Sequence, residues 1–387
     1  MKLKHITVAT AAAIIAIACS TTSKEEWAPV GGRIITVWGE NLDPADVLAE
    51  YPRPQMIRQK WINLNGLWEY AITPIETVPE KMDGHILVPF AVESALSGVG
   101  RTVTENDALW YEREITVPKD WDGQRVILHF GAVDWECKVY VNKKQVGAHI
   151  GGYCPFTLDI TDALTEGENE LVVWVYDPTD EAWQNRGKQA SYSHGFWYTS
   201  TSGIWQTVWL EAVSESYIRG YKLTPDIDES VLNIETYIEG EGTLKIKVLD
   251  GEAVVAEKEL SSDDKVEISE LKLWSPESPF LYDFILELSK GGEVTDSVKG
   301  YFGMRKYSLG KDSKGKVRLC LNNKPYFQKG LLDQGYWPES QLTPPTDEAM
   351  IFDIQKMKDL GFNMLRKHIK LEPMRWYYHC DRLGMLV

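Results

Sequence analysis

The chain has 387 residues, of which 25% are charged and 43% are hydrophobic, and this composition is typical of folded domains rather than of disordered tails. At roughly 100–200 residues per domain, the length predicts two or three domains. Lysine and arginine number 41 against 57 aspartate and glutamate residues, so the formal net charge is −16. A surface this acidic repels phosphate backbones, which argues against nucleic acid as a partner.

The N-terminal residues have the layout of a secretory signal. Lys2 and Lys4 precede an uncharged stretch rich in alanine and isoleucine, residues 6–18, which is shorter than the roughly 20 residues that span a bilayer. The stretch runs into Ala-Ile-Ala-Cys-Ser at 16–20, which resembles a bacterial lipobox. The resemblance implies that Cys19 carries a lipid anchor in the bacterial cell envelope. An ordinary signal followed by an incidental cysteine is the alternative.

After the signal, a short polar segment leads into two blocks of strand patterns. Residues 19–50 are polar without a sustained period and predict a tether and lead-in. From residue 61 to 213, short alternating runs broken by Gly, Pro, Asn and Asp predict a β-sandwich or barrel. A second β block, residues 217–304, suits one immunoglobulin-like sandwich.

The pattern changes near residue 306. A strand-like run at 325–332 is followed by apolar residues at helical spacing, and this helix is predicted to begin after Thr346 and to end at Gly361. The remaining predicted elements are a strand at 362–366, a helix between Pro373 and Gly384, and a strand at 385–387. This alternation indicates a parallel sheet with crossover helices, either an open α/β sheet or the opening of a (β/α) barrel.

Short motifs occur in a fixed order after about residue 53. They are WINLNGLW at 61–68, ILVPF at 86–90, LWYER at 109–113, SGIW at 202–205, LWSPESP at 273–279, LNNKP at 321–325 and MKDLGFN at 357–363 with Arg366. In this order they resemble glycoside hydrolase family 2, the family of β-galactosidases, β-glucuronidases and β-mannosidases. The resemblance implies a multidomain, mainly β protein with a jelly-roll sugar-binding β-sandwich, an immunoglobulin-like β-sandwich and the start of a (β/α)8 TIM barrel.

Together, the element pattern and the resemblance divide the chain into five segments. They are a lipoprotein-type signal peptide at 1–18, a tether and lead-in at 19–50, a jelly-roll sugar-binding domain at 51–213, an immunoglobulin-like β-sandwich at 214–305 and an incomplete TIM-barrel catalytic domain at 306–387.

The chemistry that the resemblance implies is retaining hydrolysis, which needs two carboxylates about 5–5.5 Å apart. In the family both are glutamates on later barrel strands, so we expect them after residue 387 and expect no catalytic residue in this chain. Asn169 and Glu170 copy the family's acid/base pair, but they lie in a turn before a sandwich strand and are interpreted as structural. The cysteines after Cys19 are scattered without a CxxC pair, so no metal site is indicated, and no cofactor is expected.

The resemblance also implies that this chain holds the rim of a sugar site, because barrel active sites lie at the carboxyl ends of strands. Asp333, Gln334 and Trp337 follow the first strand, and Arg366 and His368 follow the second. Arg366 is expected to organise the carboxylates, with a buried structural ion pair as its alternative. For Asp333 and His368, substrate contact and rim hydrogen bonding both stay open. After the first strand the family usually has Asn-Arg/Lys-His, whereas this chain has Asp333-Gln334. This difference leaves the preferred sugar open.

One jelly-roll loop corresponds to the family segment that reaches toward the active site. It runs from residue 187 to Trp197 and makes His194 and Trp197 candidate sugar contacts, with packing of the loop against the barrel as the alternative.

The predicted function is the N-terminal part of an exported, lipid-anchored, retaining exo-β-glycosidase acting on carbohydrate β-glycosides. The alternative is a non-catalytic carbohydrate-binding surface lipoprotein. In both hypotheses the partners are a carbohydrate and, through the anchor alone, a membrane. The oligomeric state stays open.

Overall fold

The computed structural model describes residues 27–387. The predicted signal peptide, Cys19 and the first residues of the predicted tether lie outside the described residues. Among residues 27–387, no helix combines the length and the apolar character that crossing a membrane requires.

The first body is a sandwich of two antiparallel sheets. Its strands are β1 (Trp61–Asn63), β2 (Gly66–Pro74), β3 (Gly84–Val88), β4 (Asp107–Thr116), β5 (Arg125–Phe130), β6 (Val133–Asp134), β7 (Glu136–Val141), β8 (Lys144–Ile150), β9 (Phe156–Asp159), β10 (Glu168–Tyr176), β11 (Gln189–Ala190), β12 (Tyr198–Thr199), β13 (Gly203–Ile204) and β14 (Val208–Val213). The two sheets have the strand orders β1-β14-β5-β9 and β3-β2-β4-β10-β7-β8. In β10, Leu171, Val173 and Val175 are buried while their neighbours are half-buried. This period of two packs one face of each sheet into a shared core and confirms the predicted sandwich.

The second body is a smaller sandwich, as predicted. Its strands are β15 (Tyr217–Asp226), β16 (Val231–Glu239), β17 (Thr243–Asp250), β18 (Ala253–Leu260), β19 (Asp263–Glu267), β20 (Tyr282–Lys290) and β21 (Glu293–Phe302). They form sheets of order β15-β16-β19 and β18-β17-β20-β21, in which neighbouring strands are antiparallel. The core between them includes the fully buried rings of Tyr282 and Phe284.

The C-terminal unit begins with a small antiparallel sheet and continues as alternating strands and helices. Its elements are β22 (Tyr307–Lys311), β23 (Val317–Leu321), β24 (Lys324–Pro325), β25 (Gly330–Asp333), α2 (Asp347–Asp359), β26 (Met364–Lys367) and α3 (Met374–Leu383), and the earlier α1 is Val37–Glu40. β25 and β26 pair in parallel, and Leu386 adds a parallel bridge to Met364. Residues 27–387 thus contain three parallel segments in sequence order and no closed barrel.

The ends of both helices follow local capping chemistry. The Thr346 hydroxyl accepts a hydrogen bond from the backbone N–H of Ala349 at 3.2 Å, which caps α2 as predicted. α3 follows Pro373 and ends at Gly384, whose φ of +77° is the left-handed conformation that glycine adopts without strain.

The two sandwiches meet at a buried ion-pair network. Arg58 is 5% exposed and donates to Glu211 of β14 at 2.8 Å and to Asp296 of β21 at 2.8 Å. One guanidinium group therefore bridges the two bodies; it is the arginine partner of Asp296 and shares the compensation of Glu211 with Arg53.

α3 closes the unit against the second sandwich. Asp381 accepts hydrogen bonds from Arg305 at 2.6 Å and from the Tyr301 hydroxyl at 3.0 Å, and its carbonyl accepts from the Trp274 indole at 2.7 Å. Asp381 is thus an interface residue.

Residues 27–50 differ from the predicted tether. Val47 is buried against Leu87, Phe90 and Leu96 of the first sandwich, and the Trp27 indole donates to the Leu96 carbonyl. The segment folds onto the sandwich because its scattered apolar side chains cover an apolar patch that the sheets leave open.

Replacing Arg58 tests the bridge between the sandwiches. Arg58→Ala leaves Glu211 and Asp296 as buried carboxylates without their shared partner, so we expect a loss of about 3–5 kcal/mol in the free energy of unfolding. Urea denaturation followed by tryptophan fluorescence measures this loss. Arg219→Ala, which removes an exposed arginine near Glu239, is the control and should leave the midpoint unchanged. An unchanged midpoint in Arg58→Ala would contradict the bridge.

Candidate functional site

The candidate site lies at the carboxyl edge of the parallel β25–β26 pair. In this pair Leu331 faces Leu365, Leu332 faces Arg366 and Asp333 faces Lys367, so both strands end at the same level. The loops that follow, residues 334–346 and 368–373, are the two exits. Side chains at both exits are thereby brought together, as the sequence predicted.

Alternation along β26 sorts its side chains between two faces. Leu365 is buried against α2 and α3, whereas Arg366 is exposed on the opposite face beside the half-exposed Leu332. Arg366 forms no ion pair with any residue of 27–387, where Lys367 takes the available carboxylates. The alternative of a buried ion pair for Arg366 is therefore wrong within the described part of the chain.

A buried network of charged residues lies beneath the exits, and Asp333 is the only one of them predicted from the sequence. The Lys367 ammonium lies 2.8 Å from Asp333 and 2.6 Å from Glu372, and the Lys370 ammonium lies 2.9 Å from the other oxygen of Glu372. Burial opposes the charge of Lys367, but Glu372 and Asp333 raise the pKa of its ammonium above the ordinary value. Burial lowers the pKa of Lys370, which is fully buried. The network pairs two ammonium groups with two carboxylates.

A glycine makes this network possible. Gly335 has a φ of +64°, and a Cβ placed on it would lie 2.2 Å from a Glu372 oxygen and 2.8 Å from the Lys370 nitrogen. Its carbonyl accepts a hydrogen bond from Lys370 at 2.7 Å. Only a residue without a side chain lets the first exit approach the second this closely.

Two residues predicted at the first exit lie against this network. Asp333 accepts hydrogen bonds from Lys367 and from the backbone N–H of Gly335 at 2.9 Å, which favours the rim-hydrogen-bonding interpretation of Asp333. The buried Gln334 side-chain oxygen has no hydrogen-bond partner among residues 27–387. His368 donates its backbone N–H to the Asp333 carbonyl at 2.8 Å. Whether Gln334 and His368 contact substrate stays a prediction.

Trp337 is partly covered by the N-terminal segment. Its ring lies edge-on to Trp38 at 6.0 Å between centroids, and Trp38 packs against Phe352 of α2 at 5.0 Å. The signal that the sequence reasoning missed is Trp38, an aromatic residue in a stretch interpreted as a tether. The predicted sugar contact of Trp337 is thus restricted to its uncovered part.

The jelly-roll loop predicted to reach the site, together with the strand β12 that follows it, contacts both exits. The Tyr198 ring stacks on Tyr336 of the first exit at 3.8 Å, and Gly187 approaches the Ile369 carbonyl of the second so closely that a Cβ would lie 2.8 Å from it. His194 is exposed and hydrogen-bonds through its ring to the Tyr192 carbonyl at 2.8 Å. The loop therefore packs on the β/α unit and leaves His194 exposed.

Trp197 is held within the same loop. The Arg186 guanidinium lies 4.9 Å from its ring centroid, and Phe196 lies beside it at 4.9 Å. The side chain is half-buried, so its remaining face is available to a ligand. Exposed aromatic rings flank it in sequence, namely Trp183, Tyr192 and Phe196.

Three buried carboxylates, which we name the acid cluster, hold the two ends of this loop: Glu93, Asp134 and Asp177. Glu93 accepts from the Ser202 N–H at 3.0 Å, and Asp177 accepts from the Ser202 hydroxyl at 2.7 Å. Asp134 accepts from the Gln189 amide at 2.9 Å. The hydrogen bonds come from hydroxyl, amide and backbone donors.

The acid cluster continues into the first exit. The Gln189 oxygen accepts from the Thr201 N–H at 2.6 Å, and the Thr201 hydroxyl donates to Gln341 at 3.0 Å. Gln341 belongs to the loop after β25, so the hydrogen-bond chain crosses from the sandwich to the β/α unit.

Burial controls the protonation of the acid cluster. It raises the pKa of Glu93 to about 8 and, with the neighbouring Asp177 charge, raises the pKa of Asp134 well above its usual range. Burial also raises the pKa of Asp177. Within residues 27–387, no group of three or more His, Cys, Asp or Glu side chains is arranged to hold a metal ion.

Comparisons with known proteins agree with these domains. Residues 86–213 match the sugar binding domain of glycosyl hydrolases family 2, and residues 216–305 match the following domain of glycosyl hydrolases family 2. The chain is thus built from domains of carbohydrate-processing proteins. It belongs to glycosyl hydrolase family 2, as its motifs predicted.

Curated relatives extend far beyond this chain. A β-galactosidase of Thermoanaerobacter pseudethanolicus is 28% identical over 294 residues, which are 72% of this chain and 38% of that protein. A putative β-glucuronidase of Formosa agariphila is 27% identical over 298 residues, which are 72% of this chain and 34% of that protein. The chain therefore spans little more than a third of the length of these relatives.

A solved structure has the same fold. The β-glucuronidase of Ruminococcus gnavus superposes with a TM-score of 0.73 at 21% sequence identity, covering 88% of this chain and 60% of that one.

The acid cluster predicts a pH dependence of stability. Between its ordinary pKa of 4.5 and about 8, Glu93 is protonated in the folded chain and ionised in the unfolded chain. Stability should therefore fall as the pH rises from about 5 to above 8. Glu93→Gln removes this titration, so thermal melts across pH 5–9 should show a weaker decline in this variant. The exposed Glu168→Gln is the control and should keep the wild-type decline. Identical declines in Glu93→Gln and the wild type would contradict the assignment.

Proposed function

We propose that this chain is the N-terminal part of a retaining exo-β-glycosidase that hydrolyses O-glycosidic bonds in carbohydrates. The observation that carries the proposal is the contact of the sugar-binding domain with both exits of the parallel pair, through Tyr198 on Tyr336 and Gly187 beside Ile369. Barrel active sites lie at this edge of the strands. Relatives named β-galactosidase and β-glucuronidase support the same class of reaction.

In this proposal β25 and β26 open a (β/α)8 barrel, and the two catalytic glutamates lie on later strands, after residue 387. One carboxylic acid protonates the departing oxygen, and the other, about 5–5.5 Å away, attacks the anomeric carbon. Asp333 and Glu372, the carboxylates beside the parallel pair, are unsuited to either role, because Lys367 and Lys370 neutralise them. The present chain then supplies sugar recognition and support.

Arg366 is the residue of this chain that we place closest to the chemistry. It is exposed on the face opposite the helices, which becomes the interior face when further strands close a barrel. A guanidinium group there donates charge-assisted hydrogen bonds that orient a catalytic carboxylate. We place His194 and Trp197 around the sugar, with Gln334, Trp337 and His368 on the rim; Asp333 acts through Lys367.

A non-catalytic carbohydrate-binding function is the second candidate. The exposed rings of Trp183, Tyr192 and Phe196 favour it, because flat aromatic faces suit the apolar faces of sugar rings. Binding and hydrolysis are separable in one experiment on a longer and a shorter protein.

The activity test compares the 387-residue chain with the product of its gene extended through a complete barrel. We expect p-nitrophenol release from at least one p-nitrophenyl β-glycoside with the extended protein and none with the 387-residue chain. In the extended protein, Arg366→Ala should lower kcat/KM by about 10²-fold, because the carboxylates lose their orientation, and Arg219→Ala should leave it unchanged. Turnover by the 387-residue chain would contradict the proposal. Oligosaccharide binding without turnover by the extended protein would favour the second candidate.

We also propose that the protein is exported and anchored in the cell envelope through a lipid on Cys19. One lipid-modified cysteine holds an acidic body at a membrane surface without a transmembrane helix. Metabolic labelling with a radioactive fatty acid tests this in cells: the wild type should carry label and sediment with membranes, and Cys19→Ala should lose both properties. Cys154→Ala, which changes an exposed cysteine of the body, is the matched control. Equal labelling of wild type and Cys19→Ala would refute the anchor.

A further inference from the structure

A cavity of about 530 Å³ lies between the four-stranded sheet of the first sandwich and the N-terminal ends of α2 and α3. Its volume falls within the range of roughly 300–1,000 Å³ that small-molecule sites occupy, and domain interfaces are a common place for such sites. None of the seven residues predicted as sugar contacts lines it. The cavity is therefore distinct from the predicted sugar contacts, although it borders both exits through Thr343 and Leu371 and shares Glu372 with the charged network.

The walls of the cavity are mainly apolar and rich in aromatic rings. The rings are Tyr153, Phe156, Trp205, Trp209 and Tyr377. Leu48, Met350 and Leu371 add aliphatic surface. Walls of this kind suit a flat, apolar ring, which offsets its loss of hydration by stacking and contact.

His129 supplies an unpaired polar group to this apolar wall. It is 4% exposed and stacks on Trp209 at 4.6 Å. Its Nε2 meets only the Glu211 carboxylate, at 3.5 Å, and its Nδ1 has no hydrogen-bond partner among residues 27–387. Burial lowers the pKa of the imidazole, so the ring is neutral and offers one donor and one acceptor. A buried polar group without a partner is costly and marks a place that a ligand group satisfies.

Two further atoms in the wall lack partners. The Arg53 guanidinium pairs with Glu211 at 3.0 Å, but its Nε has no acceptor, and one carboxylate oxygen of Glu50 has no donor among the described residues. The residues that line the cavity therefore include an unused donor and an unused acceptor in addition to the imidazole.

The wall holds two arginines and two glutamates, so its formal charges cancel. Three of these four groups pair with residues that do not line the cavity: Arg53 with Glu211, Arg375 with Asp347 and Glu372 with Lys367. A cavity of balanced charge, enclosed by apolar surface, disfavours an ionic ligand because the ion loses its hydration without a net opposite charge to replace it.

We propose that this cavity binds a small uncharged aromatic molecule carrying a hydroxyl group, that is, a phenol. The aromatic ring lies among the aromatic side chains, and the hydroxyl accepts from Arg53 Nε and donates to His129 or Glu50. The proposal does not depend on the glycosidase function, because it concerns a binding equilibrium at side chains that are not predicted sugar contacts.

The test uses the full chain with 2-naphthol as the probe. We expect saturable quenching of tryptophan fluorescence with one site per chain, since Trp205 and Trp209 line the cavity, and calorimetry measures the same affinity. Naphthalene lacks the hydroxyl and 2-naphthoate carries a charge, so the affinity of each should be lower than that of 2-naphthol by about tenfold or more. Absence of saturable 2-naphthol binding, or equal affinity for 2-naphthol and naphthalene, would overturn the proposal.

Variants locate the binding. His129→Phe keeps the stacking ring and removes both nitrogens, so it should weaken 2-naphthol about tenfold while leaving naphthalene unchanged. Leu371→Trp fills the cavity and should abolish binding of both, which keeps the test valid if His129→Phe does not fold. Phe327→Ala removes an exposed ring outside the cavity and should bind like the wild type. Loss of binding in Phe327→Ala, or full binding in Leu371→Trp, would show that the probe binds elsewhere.

Discussion

A buried chain of hydrogen bonds from Asp134 through Gln189 and Thr201 to Gln341 ties the first sandwich to the β/α unit. Side-chain amides and hydroxyls align one another only when every link is made, and an unmade link leaves a buried polar group without a partner. The position of the loop that carries His194 depends on this chain. The first sandwich is therefore held in a fixed position beside the two exits, because hydrogen bonds hold its loop at both ends.

On the side of the β/α unit, the exits are held together by the network of charged residues. Lys367 and Lys370 place two cations beside Asp333 and Glu372, so the carboxylates nearest the parallel edge are neutralised. Arg366 is exposed on the other face of the same strand. One strand thus separates a structural charge network from a cation that is available to other groups, and alternation alone produces this separation.

Local chemistry made much of this architecture predictable. The start of α2 at Thr346 and the end of α3 at Gly384 follow from capping, and the sandwiches follow from a period of two. The roles of Lys367 and Lys370 were not predictable from the spacing of residues along the sequence. Lys367 pairs with Asp333 of the neighbouring strand, and Lys370 binds the Gly335 carbonyl of the other exit, so both contacts exist only in the folded chain. The acid cluster was hidden for the same reason, since its members lie far apart in sequence and are joined only by the fold.

The packing of residues 27–50 has a consequence for modularity. Thr36 hydrogen-bonds to Glu339 of the first exit while Val47 lies in the apolar patch of the sandwich, so a single strap binds two bodies that follow it in the chain. A recombination event that replaced the sandwich from about residue 51 onward would separate it from the segment 27–50 that evolved with it. The apolar patch of the sandwich would then be uncovered, and Glu339 at the first exit would lose its hydrogen bond from Thr36. Domain shuffling of this architecture is therefore expected to move residues 27–50 together with the sandwich and the β/α unit that they contact.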